Sequence, residues 1–128
     1  MGFFSGLFKE ESNWNEKELM ALFSLLKHMG YADGEFDKDE LNVIQNFIIN
    51  LPGSSVKNEQ QFIALGNKSM KFEVESHFNV IKNMNKKKKD TVMQGLGAVA
   101  AADGKVDLDE LQLMAQFNEI LNTKNPEF

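Results

Sequence analysis

The stretch Ala32-Asp33-Gly34-Glu35-Phe36-Asp37-Lys38-Asp39-Glu40-Leu41 returns 70 residues later as Ala102-Asp103-Gly104-Lys105-Val106-Asp107-Leu108-Asp109-Glu110-Leu111. Both copies read alanine, aspartate, glycine, any residue, an apolar residue, aspartate, any residue, aspartate, glutamate, leucine. Each copy carries the instructions for a joint between two helices. Gly34 and Gly104 stand just past a helical run, where a residue with φ > 0 closes a helix most easily. Asp37 and Asp107 are N-cap residues, and Glu40 and Glu110 follow at the capping-box spacing. Phe36 with Leu41, and Val106 with Leu111, occupy the two positions of a hydrophobic staple. Asp39 and Asp109 fall in the first turn, where a carboxylate meets the positive end of the helix dipole.

The flanking sequence is helical on both sides of each copy. Leu19, Leu22, Phe23, Leu26 and Met29 recur at helical spacing after an N-cap at Asn13 or Asn15. Leu41, Ile44, Phe47, Ile48 and Leu51 repeat the pattern until Pro52-Gly53-Ser54-Ser55 stops it. Asn58 to Leu65 predicts a shorter helix ending near Gly66. Ser69 or Met70 opens the next, with Val74, Phe78, Ile81 and Met84 inward. Val92, Met93, Leu96, Val99 and Ala100 lead into the second copy. Leu111, Met114, Ala115, Phe117, Ile120 and Leu121 form the last helix before Pro126. No stretch alternates with the period of a strand. The expected fold is all-α: one compact domain over residues 1–128, about six or seven helices, with two pseudo-repeated helix–turn–helix joints.

Phe3, Phe4, Leu7 and Phe8 lie on one side of a short amphipathic arm, residues 1–12, expected to dock on its own domain or fray; a surface anchor is the alternative. Gly95-Leu96-Gly97-Ala98-Val99-Ala100 spells a dinucleotide fingerprint without the preceding strand that motif needs, so these small residues read as packing. The lysines at 86–89 read as a solvated helix start, or as a docking patch for an acidic partner or membrane face.

Composition narrows the function. The chain has no cysteine, which excludes disulfides and thiolate metal sites, and every basic residue is lysine, so the bidentate arginine fork is missing. A net charge of −5 argues against nucleic-acid binding. Residues 32–44 carry −4 and residues 102–114 carry −3, so the acidity of the chain resides in its repeats. No segment approaches the ~20 apolar residues that cross a bilayer, and no secretory leader is recognisable. The expected location is the cytoplasm, without direct membrane insertion.

Asp33 and Asp103 are not explained by the helix joints, because a carboxylate at a helix C-terminus faces the negative end of the dipole. Together with Glu35, Asp37, Asp39, Glu40, Asp107, Asp109 and Glu110 they form a candidate oxygen-rich site for a divalent cation, Ca²⁺, Mg²⁺ or Mn²⁺. An EF-hand does not fit: counted from Asp33, the sixth and twelfth positions are Lys38 and Ile44, and from Asp103 they are Leu108 and Met114. A cation site and an acidic surface that attracts partners both remain open.

The same residues carry a resemblance. Ala32-Asp33-Gly34-x-Phe36-x-x-x-Glu40-Leu41 and Ala102-Asp103-Gly104-x-Val106-x-x-x-Glu110-Leu111 resemble the paired Asp-Gly motifs of TerB-like tellurite-resistance proteins. Asp33, Gly34, Glu40, Asp103, Gly104 and Glu110 match that motif directly, over a region running from the helix before Asp33 to the final helix. The resemblance implies an all-helical domain that brings both motifs to one surface. It further implies a cytoplasmic stress-response protein that binds metal ions and works beside a membrane partner of the tellurite system, peripheral to the inner face. It does not imply tellurite binding, since acidic clusters repel an oxyanion.

No catalytic or cofactor-binding residue is expected. His28 and His77 lie on separate helices without triad or ligand spacing, and His77 reads as a satisfied helix residue. The leading expectation is therefore a non-enzymatic binding module for a divalent cation or a protein partner. The alternative is a structural adaptor with no metal site.

Overall fold

The computed structural model describes residues 13–31, 38–102 and 108–122, apart from the side chains at 120 and 122. The expectations placed on the N-terminal arm, on both turns and their glycines, on the staple residues Phe36 and Val106, on Ile120 and on Pro126 lie outside the described residues. What is described is all-α, with six helices: α1 Glu16–Gly30, α2 Lys38–Ile49, α3 Glu59–Ser69, α4 Val74–Lys82, α5 Lys86–Ala100 and α6 Leu108–Asn122.

Helix α1 is the axis of the fold and packs against α2, α3, α4, α5 and α6. Its sequence explains why. Beyond the expected stripe, Met20, Ala21 and Leu25 are also buried, so the helix is apolar on most of its circumference and must be surrounded. Asn15 starts it: the Asn15 Oδ1 accepts from the Glu18 amide at 2.8 Å, and Glu18 Oε1 accepts from the Asn15 amide at 3.0 Å. This reciprocal cap satisfies two donors that the helix itself leaves open. Just upstream, the Trp14 amide donates to the carbonyl of Gly53, whose φ of 87° makes the turn after α2. Glycine is the residue that adopts that conformation without steric cost.

Several local expectations are corrected. Helix α3 runs past Gly66 to Ser69, because Gly66 is a packing glycine: an added Cβ would lie 3.0 Å from the Phe23 Cζ. Phe23 also meets Phe62 edge-on, at 5.4 Å between ring centroids. Helix α4 begins at Val74 rather than at Ser69 or Met70, since the amides of Met70, Lys71 and Phe72 bond back to Gly66, Lys68 and Ser69 and close a turn first. Val74 is consequently exposed. In α2 and α6 the inward stripe starts one residue earlier than expected. Glu40 and Glu110 are buried, while Leu41 and Leu111 face out, at 37% and 53% exposure. Leu113 joins Met114 against the core, and Ala115 is exposed.

The small residues of α5 act as packing, as their context predicts. A Cβ on Gly95 would stand 2.9 Å from the Phe47 ring and 3.0 Å from a Leu26 methyl, so α1 and α2 both approach α5 at that residue. Phe78 of α4 and Phe117 of α6 complete the layer, with ring centroids 5.2 Å apart.

Candidate functional site: the cleft between α1 and α6

The described members of the acidic set divide into two kinds. Asp39 and Asp109 lie exposed in the first turns of α2 and α6. Glu40 and Glu110, the next residues in each copy, are both 3% exposed, and both are partnered. A carboxylate is rarely buried without a hydrogen bond or opposite charge, and each of these two has such an interaction. Asp33, Glu35, Asp37, Asp103 and Asp107 lie outside the described residues. Among the described residues no three His, Asp or Glu side chains are grouped as a metal requires.

Described residues next to the two joints nevertheless line one space. A cleft of about 690 Å³ is lined by His28 and Tyr31 from the end of α1, and by Asp109, Gln112, Leu113 and Gln116 from the first half of α6. Tyr31 is the residue immediately before segment 32–37, and Asp109 lies two positions after segment 103–107. Asp109 and the carboxamides of Gln112 and Gln116 are oxygen donors that hard cations accept. Asp109 is the only carboxylate among these lining residues, so a full coordination shell would have to draw on the neighbouring acidic segments.

Sequence reasoning missed His28, Tyr31, Gln112 and Gln116 as lining residues. The pattern was available: 109, 112, 113 and 116 fall on one helical face, as do 28 and 31. What the sequence lacked was the fact that those two faces oppose each other.

The lysine run is divided: Lys86 and Lys87 are exposed, as a solvated helix start requires, and the other two are not. Lys88 and Lys89 are buried rather than solvated. Lys88 Nζ donates to the Asn13 carbonyl at 2.7 Å and to both Glu18 carboxylate oxygens at 2.9 and 3.1 Å, and it stands 5.4 Å from the Trp14 ring centroid. The start of α5 is thereby fastened to the start of α1. Lys86 pairs with Asp90 on its own helix at 3.2 Å. Asn85 caps α5 through the Lys88 amide, which offsets the unfavourable cations at that helix start.

His77 is buried, and its Nε2 donates to the Ser69 carbonyl at 2.9 Å, holding α4 to the end of α3. His28 is exposed at the cleft. No described helix is long and apolar enough to cross a membrane.

Comparison with known proteins agrees with this architecture. A solved structure of a protein of unknown function from Porphyromonas gingivalis is similar over 88% of this chain and 88% of its own, with a TM-score of 0.72 and 24% sequence identity. At that identity the likeness shows the fold. No curated protein sequence matches. The family model described as tellurite resistance protein TerB matches residues 19–128, which takes in both acidic repeats and the helices that carry them. This chain belongs to the TerB tellurite-resistance family.

Proposed function

We propose that this protein is a non-enzymatic stress-response binding module, in which the two acidic joints act together on a divalent cation, on a protein partner near the membrane, or on both. The observation that carries this reading is the shared cleft: Tyr31 and Asp109, each within two residues of one acidic segment, line the same space. Segments 32–44 and 102–114 hold −4 and −3 of a chain whose total is −5, so the strongest negative field lies in the sequence flanking that cleft. A cation such as Ca²⁺, Mg²⁺ or Mn²⁺, held by carboxylates of both joints, would offset that repulsion and fix the ends of α1 and α6 relative to each other. A cytoplasmic location beside the inner membrane face, next to a membrane protein of the tellurite system, is part of the same proposal.

Calorimetric titration with Ca²⁺, Mg²⁺ and Mn²⁺ tests it, on the wild type and on Asp33→Asn combined with Asp103→Asn. Millimolar or tighter binding that the double substitution removes is the expected result. No heat and no cation-dependent rise in melting temperature would leave only an adaptor with well-built joints.

A further inference from the structure

The chain has no cysteine, so methionine carries all of its sulfur. Among the described methionines, Met20, Met29 and Met84 are buried, and Met93 and Met114 are half-buried. Met70 stands apart: it caps the end of α3 and is 62% exposed. Its backbone is fixed by the bond from the Met70 amide to the Gly66 carbonyl, 3.2 Å long, in the turn that Lys71 and Phe72 continue. Its sulfur is placed as well. Lys27, on the last turn of α1, brings its Nζ to 3.4 Å from the Met70 Sδ, at a groove of about 330 Å³ that Tyr31, Phe72 and Val74 also line. A thioether is a weak acceptor for so strong a donor. The same ammonium facing a sulfoxide oxygen makes a charge-assisted hydrogen bond.

We propose that Met70 is a site of reversible oxidation by peroxide, and that Lys27 donates to the sulfoxide oxygen formed there. In the forward step a sulfur lone pair attacks one oxygen of hydrogen peroxide. The O–O bond breaks, and the other oxygen leaves as water after a proton shift; sulfur loses two electrons and the peroxide gains two. Return to the thioether takes two thiols, which join as a disulfide while the sulfoxide oxygen leaves as water. With no cysteine of its own, the chain depends on an external thiol-dependent sulfoxide reductase for that step. Oxidation of a core methionine destabilises, because it sets a polar group among apolar ones. At Met70 the sign reverses. Little apolar burial is lost at so exposed a side chain, and the new oxygen meets a cationic donor already in place. The oxidised chain therefore ties the α3–α4 turn to the end of α1 more firmly than the reduced chain does. The inference requires neither the cation nor the partner proposed above.

Peptide mapping by mass spectrometry after limited treatment of the full chain with hydrogen peroxide tests the site, and thermal melting of the recovered protein tests the consequence. Met70 should oxidise about tenfold faster than Met20, Met29 and Met84 in the folded chain. The oxidised protein should melt about 2 °C higher than the reduced protein, and a thiol-dependent sulfoxide reductase should restore the starting value. Met70→Leu, at an exposed position, should abolish the shift, which separates it from oxidation elsewhere in the chain. Lys27→Ala should leave Met70 open to peroxide but convert the rise into no change or a fall. A methionine that is merely exposed would give that outcome in both proteins. Oxidation of the buried methionines as fast as Met70 would overturn the proposal. So would an unchanged or lower melting temperature in the oxidised wild type, or a rise that survives Lys27→Ala.

Discussion

The first copy of the repeat leads from α1, which is enclosed by all the other described helices, into α2; the second leads from α5 into α6, which buries only Glu110, Phe117 and Leu121 among its described side chains. The two copies nevertheless begin their second helix alike. Glu40 and Glu110 turn inward to the same 3% exposure, and the leucines after them turn out. The resemblance fades downstream. Ile44 is fully buried, but Met114 at the equivalent position is half-buried; Ile48 is buried, whereas Asn118 is exposed. Local sequence thus sets how each helix starts, and the neighbours that surround it set how much of it is buried. The outcome is that the first copy continues from a helix in the core and the second into a helix on a flank, with Tyr31 and Asp109 lining a common cleft.

The strongest way to break that contrast is to make the same truncation on both supports. Leu22→Ala, at a site with no exposure in α1, should cost about 4 kcal/mol in urea unfolding, whereas Leu113→Ala on the half-buried side of α6 should cost about 1 kcal/mol. Similar losses at both sites would mean that α6 is as deeply supported as α1.

Glu40→Ala and Glu110→Ala test the likeness instead of the difference. Each removes a buried, partnered carboxylate, and each should lower stability by about 2 kcal/mol, read from the denaturation midpoint. A loss at one copy alone would show that the joints are not equivalent in construction.

Lys88→Met examines the fastening between the two supports. It removes the donor that holds the Asn13 carbonyl and Glu18, whose side chain is 16% exposed, and should cost about 2 kcal/mol. Because Trp14 is the only tryptophan and lies beside Lys88, its emission should change in the folded variant. Hydrogen exchange should then quicken more in α5 and α6 than in the centre of α1.

The smallest effect belongs to the outward leucines. Leu41→Ser and Leu111→Ser should each shift stability by less than about 0.5 kcal/mol in thermal melts. A large loss would show that these side chains are held as the staple spacing implies.

Much of the fold was legible because helical periodicity on either side of each repeat states where the described helices run. Gly95 was legible for the same reason, since its surroundings exclude a phosphate loop. The inward turn of Glu40 and Glu110 was not, because periodicity weighs leucine over glutamate and so shifts the stripe by one residue. Lys88 was also hidden. A lysine in a run of four reads as solvated until its partners, Asn13 and Glu18, arrive from 70 and more residues away in sequence. The cleft was partly legible: Asp109 was named, but His28, Tyr31, Gln112 and Gln116 acquire their role only from how α1 and α6 are placed.

One titration addresses most directly whether the two joints answer to a single cation. Mn²⁺ is added stepwise to the isotopically labelled protein while amide line broadening is followed at Tyr31 and at Asp109, one residue from each joint's helix end. A shared site predicts that both resonances broaden along one curve and saturate together near one equivalent. Broadening at separate concentrations, or at one of the two residues alone, would contradict it.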